Sequence, residues 1–163
     1  MKKIISIFVI TAIFISCANS KNTIDYKDFY KSHKNDENVI SFRVPTSLFS
    51  IFLKKEDKDL KHLLKNIDNL NFFIAENSNT DLLSELNNYL PKSNYKDVMI
   101  INDSGSKISF KARERNNSIS EIIMLIEDDN EFVVMNIEGS FTHEELKKFI
   151  ESVDTEKVKN SKD

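Results

Sequence analysis

Between Val98 and Ile137 the apolar residues recur with a period of two, and only short polar turns interrupt them. That is the period of a pleated strand, whose alternate side chains face opposite sides. Lys107 to Arg113 shows it most cleanly: Ile108, Phe110 and Ala112 fall on one side, Lys107, Ser109, Lys111 and Arg113 on the other. Before it, Val98-Met99-Ile100-Ile101 is a continuous apolar strand. The two are joined by Asn102-Asp103-Ser104-Gly105, a hairpin turn with Gly where a positive φ is needed. Asn116-Asn117 turns the chain again, and Glu127 to Asn130 joins the strands Ile119–Ile126 and Phe132–Ile137. The pattern predicts a four-strand antiparallel meander ended by Gly139. Its centre is apolar on both faces, with Ile122, Met124 and Ile126 against Ile123 and Leu125. The second face therefore needs cover from a helix, a partner or a small apolar ligand.

Upstream, the period lengthens. Residues 25–34 read as a short polar helix with Tyr26, Phe29 and Tyr30 to one side, and 35–38 as a turn. Val39–Val44 alternates as a strand that Pro45 ends. Leu48, Phe49 and Phe52 lie at helical spacing, and Leu60, Leu63, Leu64 and Ile67 form an i, i+3, i+4, i+7 stripe. Leu70–Ala75 reads as a strand. Asn77-Ser78-Asn79 offers caps for a helix burying Leu82, Leu83, Leu86 and Leu90, which Pro91 stops. After the meander, Thr142 and Glu145 form a capping box for a helix burying Leu146, Phe149, Ile150 and Val153. The order of elements predicts an α+β fold, an antiparallel β-meander sheet with helices packed mainly on one face. One core is expected to hold Ile108, Phe110, Ile123, Leu125, Val134, Leu63, Leu86 and Phe149. The single domain spans 25–153, and 154–163 is a polar tail.

The N-terminus has another character. Lys2 and Lys3 precede a run of about 12 apolar residues, the n-region and h-region of a signal peptide, too short to span a bilayer. Phe14-Ile15-Ser16-Cys17 resembles the lipobox of bacterial lipoproteins, with Phe14 in place of the usual Leu. The resemblance implies that 1–16 is a type II signal, cleaved, and that the Cys17 thiol carries acyl chains such as palmitate. Residues 17–24 then form a lipidated polar tether roughly 20 Å long. No Asp follows Cys17 and no acidic run follows it either. By resemblance to lipoprotein sorting, this favours the periplasmic face of the outer membrane over the cell surface.

Composition narrows the chemistry. Loss of Lys2 and Lys3 with the signal leaves 21 basic against 26 acidic side chains, so no basic face for nucleic acid is indicated. Two glycines, Gly105 and Gly139, cannot build a phosphate-cradling loop, and a single Cys excludes an intrachain disulfide or Cys-cluster metal site. His33, His62 and His143 are far apart. His143-Glu144 has Lys147 where a zinc hydrolase needs its second His, and Ser140 lies in no nucleophile turn. No catalytic residue, metal or cofactor is assigned. The candidate partner-binding face is the basic set Lys107, Lys111 and Arg113, sharing one side of one strand.

From Val39 to about Val153 the chain is similar to a family of small bacterial lipoproteins catalogued as domain of unknown function 4252. The likeness rests on the amphipathic stretch Leu48–Ile67, the strand Leu70–Ala75, the turn at Asp103-Ser104-Gly105, and Glu121–Ile126 followed by Phe132–Gly139 and the closing helix. It implies a fold and a location, and no catalytic residues. The expected function is a lipid-anchored, non-enzymatic interaction or regulatory module with an envelope protein partner. The alternative is a carrier or sensor of a small apolar ligand.

Overall fold

The computed structural model describes residues 25–47, 58–76, 80–103 and 105–152. The signal, Cys17 and its tether, the Leu48–Leu53 stretch, the caps at 77–79, Ser104, Val153 and the tail 154–163 lie outside the described residues. Within them the order is α1 (Tyr26–His33), β1 (Val39–Val44), α2 (Lys58–Lys65), β2 (Ile67–Glu76), α3 (Thr80–Lys92), β3 (Lys96–Asp103), β4 (Ser106–Arg115), β5 (Ser118–Glu127), β6 (Glu131–Phe141) and α4 (His143–Ser152). The strands form one antiparallel sheet in the order β1-β2-β6-β5-β4-β3. The expected meander is present as β3 to β6, and β1 and β2 extend it beyond β6. The fold is α+β.

The turns have local causes. Asn116 and Asn117 both adopt positive φ, 52° and 62°, the conformation of a type I′ hairpin that follows the strand twist. Gly105 takes φ +92° at the β3–β4 turn. Thr142 caps α4: Glu145 N–H donates to Thr142 Oγ1 at 3.1 Å, and the Glu145 carboxylate accepts from Thr142 N–H at 2.7 Å. The Thr142 N–H bond is the main cause that holds the Glu145 carboxyl below its ordinary range, and the Thr142 hydroxyl, donating to the same oxygen at 2.9 Å, adds to it.

The helices are shared between the faces, which corrects the expectation that they pack mainly on one. α2 and α4 bring Leu63, Leu146, Phe149 and Ile150 against Ile108, Phe110, Ile122, Met124 and Ile137. α1 and α3 bring Phe29, Leu82, Leu86 and Leu90 against Phe73, Ile123, Leu125, Phe132 and Val134. All eight expected core residues are buried, in two cores rather than one. The second face of β5 is covered by α1 and α3.

Other differences are local. The apolar run Val98–Ile100 is an edge strand, 41–51% exposed, because β3 has a neighbour on one side alone. Pro91 sits in the last turn of α3 instead of beyond it. Gly139 lies within β6, where a Cβ would stand 2.1 Å from the Asn66 carbonyl oxygen. The backbone of the α2–β2 turn approaches there, and Ser140 N–H donates to that oxygen at 3.1 Å.

Candidate functional site

The face covered by α1 and α3 changes chemistry along its length. Near one end it carries Phe73, Phe132, Val134 and Leu125. Toward the other, alternation places Arg43, Asn71, Asn136, Glu138, Glu121 and Arg113 on the same side. α1 crosses above both parts. Phe29 lies within the apolar part, its ring 5.5 Å from that of Phe73. His33 bonds Asp36 at 2.7 Å and Glu85 of α3 at 3.3 Å, tying the two helices. Burial opposes the charge on His33, but the two carboxylates outweigh it and raise its pKa.

Two polar groups fill the far end. The first is an ion cluster. Arg113 reaches both oxygens of Asp25, the α1 N-cap, at 3.2 Å, and also bonds Glu121 of β5. Glu121 accepts from the Tyr95 hydroxyl as well, and the Tyr95 ring lies 5.0 Å from the guanidinium. Burial raises the pKa of Tyr95, so its hydroxyl stays a donor.

The second is a cleft of about 170 Å³ between α1 and strands β1, β2 and β6. Across its floor runs a chain of amides. Arg43 Nε donates to Asn71 Oδ1 at 3.2 Å, and Asn71 Nδ2 to Asn136 Oδ1 at 3.4 Å. The chain ends without an acceptor: Asn136 Nδ2 is buried and unbonded. So is the hydroxyl of Tyr26, which burial also keeps protonated. A buried polar group left unmatched costs about 1–3 kcal/mol. Four cations line the cleft, Lys27, Lys31, Lys34 and Arg43, against one carboxylate, Glu138. Glu138 is engaged by Lys27 at 3.6 Å and by Asn69 at 3.2 Å. Lys31, Lys34 and Arg43 form no ion pair among the described residues.

The basic set expected on β4 does share one side of that strand, but each member is matched to an acid. Lys107 bonds Glu127 at 2.9 Å, Lys111 bonds Asp97, and Arg113 is held as above. The side chains of Lys111 and Arg113 are 14% and 11% exposed, against 45% for Lys107. Lys107 and Arg113 stand roughly 20 Å apart along the strand. Cys17 lies outside the described residues. Among those described, no three His, Cys, Asp or Glu side chains gather as metal ligands. His62 bonds Glu145 at 3.2 Å and His143 bonds Glu114 at 2.8 Å, both on the surface. The His143 bond is the main cause of a lowered Glu114 pKa.

The sequence reading missed the cleft. Its trace was the pair of asparagines inside otherwise apolar strands, Asn71 and Asn136, since Asn is depleted in strands. An amide buried there requires a partner.

The chain is thus a mixed α+β domain with a polar cleft beside its first helix. The model of the family described as domain of unknown function DUF4252 matches residues 26–149, and the chain belongs to that family. No curated protein and no solved structure gives a significant match. No described helix is long and apolar enough to cross a membrane.

Proposed function

We propose that this chain is a lipid-anchored protein of the bacterial envelope, held through Cys17 at the periplasmic face of the outer membrane, and that it acts by binding a ligand in the cleft beside α1. The observation that carries the binding is the pair of buried, unbonded groups, Tyr26 Oη and Asn136 Nδ2, on two residues that line one cleft. A ligand with acceptor oxygens satisfies both at once. The charged lining favours such a ligand over a small apolar one. The anchor is supported by the single Cys at the end of the single long apolar run. An envelope protein partner remains part of the reading, as the body to which a ligand-dependent state is passed.

One measurement tests both halves: intact and native mass spectrometry of the protein isolated from membranes. The expected chain begins at Cys17, carries acyl groups, and holds a small adduct that unfolding releases. Cys17→Ala is expected to remain uncleaved and unacylated. A wild-type chain retaining residues 1–16 contradicts the anchor, and an empty native chain contradicts the ligand.

A further inference from the structure

We propose that the cleft beside α1 is a phosphate-binding site, taking the phosphate group of a lipid headgroup or of a soluble phosphate ester. The proposal deepens the binding reading above and rests on it.

Charge is the first argument. The whole chain carries a formal net charge of −3, yet the cleft sets four cations against one carboxylate. Lys27 and Glu138 offset each other, which leaves Lys31, Lys34 and Arg43 without an ion-pair partner among the described residues. Basic residues in the last turn of α1 also complement its dipole, which accounts in part for Lys31. It accounts neither for Arg43, which comes from a strand, nor for the buried amide.

Donor geometry is the second. Asn136 Nδ2 and Tyr26 Oη are donors without acceptors. Arg43 spends its Nε on Asn71 and keeps its terminal nitrogens for a fork. Lys31 of α1 and Lys34 at its C-cap add to these. That exceeds what the two oxygens of one carboxylate take up, and suits a phosphate, which offers three free oxygens as a monoester, or two free and two ester oxygens as a diester. Size agrees, since 170 Å³ is room for roughly five or six waters, about one phosphate group and its solvation.

Placement is the third. α1 begins at Tyr26, directly after the polar tether, so the helix that lines the cleft is the element nearest the proposed anchor. Seven residues, 18–24, separate Cys17 from Asp25, at most roughly 20 Å of chain, so an acylated Cys17 would hold this cleft within reach of headgroups at the bilayer surface.

The test is an amide NMR titration of the full chain, isotope-labelled, in phosphate-free maltoside micelles at constant ionic strength. The probes are inorganic phosphate, glycerol 3-phosphate, glycerophosphoglycerol as a headgroup diester, and acetate. The Asn136 side-chain NH₂ resonances are expected to shift with phosphate probes. Arg43→Gln is expected to weaken binding about tenfold. The surface pair Lys31→Glu with Lys34→Glu is expected to weaken it at least as much, and Lys107→Gln to leave it within about twofold. A response to the monoester alone assigns a soluble phosphate compound, and an equal or stronger response to the diester assigns a lipid headgroup. No shift at Asn136 with any phosphate probe overturns the proposal. So does acetate binding as tightly as phosphate, or equal losses in Arg43→Gln and Lys107→Gln. If Asn136 responds to phosphate while the membrane-isolated chain is empty, the occupancy reading fails and the site stands. If the isolated chain carries an adduct while Asn136 is silent, the phosphate assignment alone fails.

Discussion

Phe110→Ala lowers the free energy of unfolding by about 3–5 kcal/mol. Phe110 lies in the middle of β4, fully buried, opposite Met99 on one side and Met124 on the other. Its ring meets that of Phe149 of α4 edge-on at 6.4 Å. Truncation removes that contact and leaves a hole framed by backbone hydrogen-bonded on both sides, which cannot collapse to fill it. Native domains are stable by about 5–15 kcal/mol, so the variant stands near the edge of folding. Urea unfolding followed by circular dichroism reads the loss. A loss below about 1 kcal/mol contradicts the assignment of the inward face of β4.

Arg113→Met is expected to cost about 3 kcal/mol, at the lower end of the range for breaking a buried ion pair from one side. The guanidinium is shared between Asp25 and Glu121, and removing it leaves the Glu121 carboxylate, 14% exposed, with the Tyr95 hydroxyl as its remaining partner. Asp25 is 30% exposed and recovers part of its hydration, which holds the loss below the upper end of that range. The same substitution cuts the link between the α1 N-cap and the sheet. Adding Glu121→Leu is expected to restore most of the stability, because the stranded charge leaves with it. Chemical denaturation of the double variant and of each single variant checks this, and a double variant as unstable as the sum of the two singles contradicts it.

The two outcomes bear differently on what the amino-acid pattern reveals. The burial of Phe110 was legible, since strict alternation from Lys107 to Arg113 marks one face as apolar. The fate of the opposite side was not. Alternation separates two faces without saying what covers either, and amphipathic helices show that they bury a stripe without naming the sheet face. α1 reads as polar, yet Tyr26 and Phe29 are both buried on that second face. Charge pairing was hidden for another reason. Counting back from the Asn116-Asn117 turn sets Arg113 opposite Ser120, but a bulge shifts the register and brings Glu121 there. Counting back along the β3–β4 hairpin likewise sets Lys111 opposite Val98, and a second bulge brings Asp97 there. A side that reads as a basic patch is therefore a ladder of matched charges.

The cleft depends on elements distant in sequence. Arg43, Asn71 and Asn136 come from three strands and meet because β2 lies between β1 and β6. Nothing local in β1 or β6 announces that neighbour. The amides themselves were visible, and their burial follows from the apolar residues on either side. What the pattern withholds is that Asn136 ends the chain with a donor to spare and that Tyr26 lines the same cleft.

Tyr26→Phe shows whether these polar groups are kept unmatched for a ligand. Unfolding free energies of wild type and variant are compared in phosphate-free buffer and again with phosphate added. Without phosphate the variant is expected to be more stable by about 1 kcal/mol, because it no longer buries an unbonded hydroxyl. With phosphate the wild type is expected to gain stability by linkage, and the variant to gain less because it has lost a donor. A variant that is less stable than wild type without phosphate, and gains just as much when it is added, contradicts the account.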